Sequence, residues 1–361
     1  MNINKINNYI NKSRKIENLS SKHDLNSLKL EKRMISKLID ENYSIGSISN
    51  IDKIANGMSS ICYYILTDKG EFILKNVEDN GMNNPDNEPK IHEVLANENI
   101  PVSKFYLTKQ GKYILNDGGN IYHLKNYIRG EVYKPNTASE WLMRDSAVML
   151  GKIQKAMEQI SILPIGIGEG YFENMSPKKS ISSYLQTLKI AEAKNDIDIM
   201  KDIQSRVEIL NTIPKEDIRV MDLTCKSTHG DYSINQIVCG QQSINGIIDF
   251  TSACIHPICW EVIRSFSIAD SDCIDGTINI ENLKRYIQSF LRYGELNSYD
   301  LKMMPYVYFY QLLFPNYYNQ YYSSNNPNRE LLLNNARFST KVCQWFASNI
   351  NNISDELVRS F

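Results

Sequence analysis

Between Ile48 and Val77 apolar residues recur in short alternating runs, each closed by a turn signal. Ile48 to Ile54 runs into Asn56-Gly57, Ile61 to Thr67 into Asp68-Lys69-Gly70, and Glu71 to Val77 follows. Period-two spacing between Gly, Asn and Asp turns predicts a small antiparallel meander. Lys104 to Leu107 and Lys112 to Leu115 predict a strand pair, and Tyr122 to Gly130 predicts a strand ending in a glycine turn. Beyond it the period changes. Ala147, Leu150, Ile153 and Met157 lie at helical spacing within Trp141 to Ile160, and Ile181 to Ala193 and Ile197 to Leu210 predict further helices. Ahead of the meander the chain is polar and helix-prone, with Leu25, Leu28, Leu30, Met34, Leu38 and Ile39 scattered along it. This predicts a helical extension, with a disordered tail as the alternative for the first ~20 residues.

A second strand signal lies deep in the helical half. Ile237-Val238-Cys239 and Gly246-Ile247-Ile248, separated by Gly240-Gln241-Gln242-Ser243, predict a hairpin that brings Gln236 and Asp249 together. The loop feeding it reads Thr228-His229-Gly230-Asp231-Tyr232-Ser233-Ile234-Asn235-Gln236. Asp231, the two amides after it and Asp249 form the donor set that phosphoryl transfer needs. One carboxylate deprotonates a hydroxyl; an amide oxygen and a second carboxylate hold magnesium against phosphates. A surface hairpin with polar ends accounts for either aspartate alone, and far less well for the whole constellation.

These residues resemble the catalytic loop of the aminoglycoside phosphotransferase and choline kinase superfamily, His-Gly-Asp, four residues, then Asn. Ile248-Asp249-Phe250 resembles that family's metal-binding aspartate. The resemblance implies Asp231 as catalytic base, His229 as a brace of the loop, and Asp249 as a magnesium ligand. Gln236 stands where the family has Asn, and Asn235 lies one residue earlier. Either amide could ligate; if Gln236 begins the strand, alternation turns it toward Asp249 and Asn235 away.

The meander carries the nucleotide motifs. The Ala55 to Ser60 loop, with Gly57, Ser59 and Ser60, can lay N–H groups and hydroxyls over phosphates, and it resembles the family's Gly-Met-Ser loop. Lys75 interrupts the apolar strand Phe72-Ile73-Leu74, where an unpaired ammonium is costly. It sits on a solvent face, or it is the ATP-phosphate lysine that the resemblance implies. The implied partner is Glu88, near the start of a helix with Pro89 in its first turn; Glu93 is the alternative. Lys125, Asn126 and Tyr127 resemble the hinge whose backbone pairs with adenine. Glu261 is expected to anchor the catalytic loop.

Composition narrows the partners. The chain has 361 residues, with 42% hydrophobic and 22% charged, which suits a globular protein with a sizeable core. A formal net charge of −1 gives no reason to expect nucleic acid. No apolar run is long enough for a bilayer, and the Met1-Asn2-Ile3-Asn4 start is no signal peptide. The 7 scattered cysteines predict reduced thiols in a cytoplasmic protein. Asp270, Asp272 and Asp275 fit a calcium loop poorly and predict an acidic surface. The aromatic stretch from Tyr306 to Tyr322 reads either as packed helices or as an acceptor pocket for a sugar or a cation.

The resemblance implies an α+β, bilobal, protein-kinase-like fold: a helical extension over 1–44, a nucleotide-binding lobe over 45–127, and a catalytic and acceptor-binding lobe over 128–361. It implies ATP and Mg2+ as cofactors and a small-molecule hydroxyl as acceptor, whether sugar, amino alcohol or aminoglycoside. A nucleotide-binding pseudokinase with a structural role and a protein kinase are the alternatives.

Overall fold

The computed structural model describes residues 29–54, 61–77, 85–161, 163–213, 215–325 and 329–361. They form two compact units, and the chain passes from one to the other after residues 78, 104 and 127.

The first unit is a sheet with a helix on it. Helix α1 (29–42) precedes β1 (Ile48–Ile54), β2 (Cys62–Thr67), β3 (Gly70–Asn76), β4 (Phe105–Tyr106), β5 (Ile114–Asp117) and β6 (Asn120–Asn126). The sheet runs β1-β2-β3-β6-β4 with β5 also on β6, and every pairing is antiparallel. Alternation sorts its faces. Tyr63, Ile65, Phe72, Leu74 and Leu124 point into one core, and Ile35, Leu38 and Ile39 of α1 close it.

The second unit is mainly helical. It holds α2 (Asn87–Asn97), the short strand β7 (Glu131–Val132), α3 (Glu140–Met157), α4 (Pro177–Lys194) and α5 (Ile197–Thr212). After them come β8 (Cys225–Thr228), β9 (Ile237–Cys239), β10 (Ile244–Ile247), β11 (Cys254–Pro257) and α6 (Ile258–Ala269). The chain ends with α7 (Ile280–Phe290), α8 (Ser298–Leu313), α9 (Tyr317–Ser323) and α10 (Arg329–Ser360). Helices α6 and α8 are buried on nearly every face, which is why their sequences show no polar stripe.

The aromatic stretch is therefore mostly core. Tyr306, Tyr308, Phe309, Tyr310, Phe314 and Tyr318 are buried. Their hydroxyls are satisfied within the unit: Tyr308 meets Ser267 Oγ at 2.6 Å, and Tyr306 donates to Asn351 Oδ1 at 2.6 Å. Asp270 also departs from the expected acidic surface. It is buried, caps the 3-10 turn Ser271–Asp275 and accepts from Asn282, while Asp272 and Asp275 are exposed.

No helix among the described residues is long and apolar enough to cross a membrane. The seven cysteines form no disulfide.

Candidate functional site

The segment from β8 to β11 is one long hairpin interrupted in the middle. Its outer ladder pairs Thr228 with Cys254, and its inner ladder pairs Ile237 with Ile247. Between the ladders two loops face each other, 229–236 and 248–253. Asp231 lies in the first and Asp249 in the second. Ladders on both sides hold a pair of irregular loops more firmly than a single turn would.

The loops touch through their backbones. Gly230 has φ +78°, and a Cβ there would come 1.9 Å from the Ser252 carbonyl oxygen. Only glycine fits that approach. Asp249 has φ 65° and ψ 63°, the left-handed region, which a short polar side chain tolerates better than most. Thr251 Oγ1 donates to its Oδ1 at 2.6 Å.

His229 ties the loops together. It is buried, its Nε2 lies 3.0 Å from the Ile248 carbonyl, and its Nδ1 accepts the Asp231 N–H at 3.3 Å. Those partners fix a neutral ring protonated on Nε2. Burial pushes its pKa below the ordinary value, which favours the same form. The ring rests on Phe250, with centroids 4.3 Å apart.

The Asp231 carboxylate is gripped at both oxygens. Arg264 Nη2 donates to Oδ1, and Gln236 Nε2 donates to Oδ2 at 3.1 Å. Arg264 Nη1 also donates to the Tyr232 carbonyl at 3.2 Å, and the guanidinium sits 5.4 Å from the Trp260 ring centre. The sequence motifs do not single out Arg264. The available signal was that Glu261 and Arg264, three apart, are the two charges of an otherwise nearly apolar helix.

Glu261 is buried and accepts the Tyr232 N–H at 3.3 Å, with the Gly230 N–H as a further donor. Burial pushes its carboxyl up to about 7 from an ordinary 4.5, against the pull of those donors and of Arg264. The folded state then keeps a proton that the unfolded chain releases between these values. Stability should fall as pH rises through that window and level off above it. Glu261→Gln should lack this slope. In urea unfolding it should gain on the wild type, between pH 5 and pH 8, by an amount on the order of 3 kcal/mol. Parallel pH profiles for the two proteins would count against a raised Glu261.

Gln236 does not begin the strand. Ile234–Gln236 form a 3-10 turn, and β9 starts at Ile237, so strand alternation does not decide where either amide points. Gln236 is partly buried with its amide nitrogen on Asp231, and Asn235 is exposed. In α2, Glu88 lies on the buried face and Glu93 on the exposed one. In the first unit, Lys75 is buried on β3, opposite His123 of β6. The Lys125 ammonium lies 5.5 Å from the centre of the Phe105 ring. Asn126 ends β6, and the Tyr127 N–H donates to the Glu71 carbonyl at 2.9 Å, so that N–H is spent inside the sheet. Gly57, Ser59 and Ser60 lie outside the described residues.

Known proteins share the family and the fold. Residues 50–288 match the model of the phosphotransferase enzyme family, APH. A homoserine kinase of Zymomonas mobilis is 26% identical over 239 residues, which cover 64% of this chain and 69% of that protein. Two solved structures share the fold at 14% identity. One is a spectinomycin phosphotransferase in complex with ADP and spectinomycin, with a TM-score of 0.55 over 91% of this chain and 98% of its own. The other is an amicoumacin kinase in complex with AMP-PNP, calcium and its antibiotic, with a TM-score of 0.56 over 89% and 95%.

Proposed function

The chain belongs to the phosphotransferase enzyme family and is a small-molecule kinase; from that premise we propose that it moves the γ-phosphate of ATP to an acceptor hydroxyl, with Asp231 as the base. The observation that supports the reading best is the pair of facing loops, with an aspartate on each and a neutral buried histidine between them.

Asp231 accepts the hydroxyl proton as the acceptor oxygen bonds to phosphorus and ADP leaves. His229 keeps the Asp231 backbone in place and takes no proton itself. Lys75, with the Gly57, Ser59 and Ser60 loop, serves the phosphates, and the segment of Lys125, Asn126 and Tyr127 serves adenine through backbone groups other than the Tyr127 N–H, which the Glu71 carbonyl takes. Magnesium, when bound, offsets charge on the phosphates. Asp249 and an amide oxygen are hard donors that suit it. Gln236 is the better amide, because its nitrogen is committed to Asp231 and its oxygen is left for a cation.

The acceptor is a small metabolite alcohol. The matched homoserine kinase, named for an amino-acid alcohol, supports this class ahead of a polycationic antibiotic, and the near-neutral chain charge agrees. Labelled ATP and magnesium, incubated with L-homoserine, choline, a hexose and spectinomycin in turn, test the reading. Label is expected on one of the first three. Preferential labelling of spectinomycin would reverse the ranking. Label on protein alone, or on nothing, would remove the small-molecule reading of this site.

A further inference from the structure

Resting on the reading of Asp231 as the base, we propose that Arg264 is a positioning residue that sets the orientation of the Asp231 carboxylate for proton transfer. Helix α6 presents its two charges, Glu261 and Arg264, three residues apart and so on one face. They grip the two ends of a single residue of the catalytic loop. Glu261 takes the Tyr232 N–H, and Arg264 donates to the Tyr232 carbonyl. The second arm of the guanidinium reaches Asp231 Oδ1, while Gln236 holds Oδ2 from the other side.

A carboxylate bonded at both oxygens cannot turn about its last torsion. Each oxygen still has a lone-pair direction left for the incoming proton. The guanidinium is itself fixed. It lies over the Trp260 ring, and Trp260 stacks on His256 with centroids 4.6 Å apart and planes 29° apart. A planar two-armed donor does this; an ammonium has neither the second arm nor the plane. The pair is not needed to hold the fold. Its side chains are 20% and 39% exposed, the range in which an ion pair adds little stability, and α6 is already anchored by its apolar faces. Its worth lies in geometry, where a misplacement of about 1 Å costs about a hundredfold in rate.

The test uses the full chain with ATP and magnesium, and L-homoserine, choline, a hexose and spectinomycin as acceptor probes. Arg264→Ala should lower kcat about a hundredfold while KM for ATP stays within about twofold, as expected when only a transition-state interaction is lost. Arg264→Lys should recover part of the loss, and guanidinium added at low millimolar concentration should rescue the alanine variant by several-fold. A merely structural arginine would show no such rescue. A kcat within about threefold of wild type in Arg264→Ala would overturn the proposal. So would a loss matched by weaker ATP binding and left unrescued. Deuterium uptake over 229–236 reads the clamp without any acceptor. It should quicken in Arg264→Ala, and unchanged uptake would overturn the clamp. A wild type inert with every acceptor would remove the proposed function and leave this exchange measurement to decide the role of Arg264.

Discussion

Asp231→Asn is expected to bind ATP normally and to lose turnover by at least about a hundredfold, the lower range for a general base. The substitution keeps the side chain's shape and an acceptor for Arg264. It removes the basic oxygen, and it offers Gln236 a donor where the carboxylate offered an acceptor. The histidine brace acts on the backbone of residue 231 and survives. Asp249→Ala should behave differently. It removes the carboxylate of the facing loop and puts alanine in a left-handed conformation that aspartate tolerates better, so magnesium-dependent ATP binding and turnover should fail together. Calorimetry with a non-hydrolysable ATP analogue separates the two variants, and an ADP-release assay gives turnover. Magnesium titrations of Gln236→Ala and Asn235→Ala belong to the same series. The larger loss is expected for Gln236, and the reverse order would reassign the ligand to Asn235. Unchanged turnover in Asp231→Asn would remove the mechanism altogether.

Arg206→Met should be the most destabilising single change away from the site, at roughly 4 kcal/mol. Arg206 is fully buried in α5 and uses all five of its N–H donors. Nε donates to Thr340 Oγ1 at 2.8 Å, Nη1 to Tyr184 Oη at 3.0 Å and to the Leu312 carbonyl at 2.7 Å, and Nη2 to Ser339 Oγ and the Ala336 carbonyl. Leu312 lies in the last turn of α8, where carbonyls have no helical partner. The arginine thus caps one helix while joining α4, α5, α8 and α10. Methionine fills part of the space and takes the donor from each of these acceptors, of which the Ala336 carbonyl and the Thr340 hydroxyl keep other partners. The melting temperature should drop by roughly 10 °C, and Arg206→Lys should recover little, because one ammonium cannot reach so many acceptors. A methionine variant melting within about 2 °C of wild type would show that the network carries little of the stability.

What the sequence disclosed follows from the range of each interaction. The strands of the first unit were legible because alternation and turn residues are local: the Ile48 to Ile54 pattern is β1, and Asp68-Lys69-Gly70 is the turn into β3. The pairing was less so, since β4 and β5, expected as a strand pair, each pair with β6 instead. The facing loops were legible through His229, Gly230, Asp231 and Asp249, whose demands for a brace, a bare Cα and two carboxylates are met within a short stretch. The backbone at Gln236 was misread, because strand alternation was extended one residue too far, into a 3-10 turn. Arg264 was missed because its partner lies far away in sequence and only the fold brings α6 under the loop. The tyrosines from Tyr306 to Tyr318 left two readings open, since a ring's hydroxyl serves a core hydrogen bond and a ligand equally well; the buried bonds of Tyr306 and Tyr308 favour the core.

The placing of α2 has a consequence for the order in which the chain is made. Ile91, Leu95 and Ile100 belong to the core of the second unit. His92 packs on Phe250 with centroids 5.2 Å apart, and the Pro101 carbonyl accepts the Ile247 N–H at 2.8 Å. Yet β3 and β6, which flank this segment in sequence, pair with each other in the first unit. On the ribosome, domains form as units from the amino end. The sheet can close once Asn126 has emerged, while the apolar face of α2 waits for α3 and is completed only when Ile247 and Phe250 are synthesised. A nascent chain therefore carries an exposed apolar helix beside a finished sheet, and that interval is when co-translational folding is most open to chaperones and to aggregation.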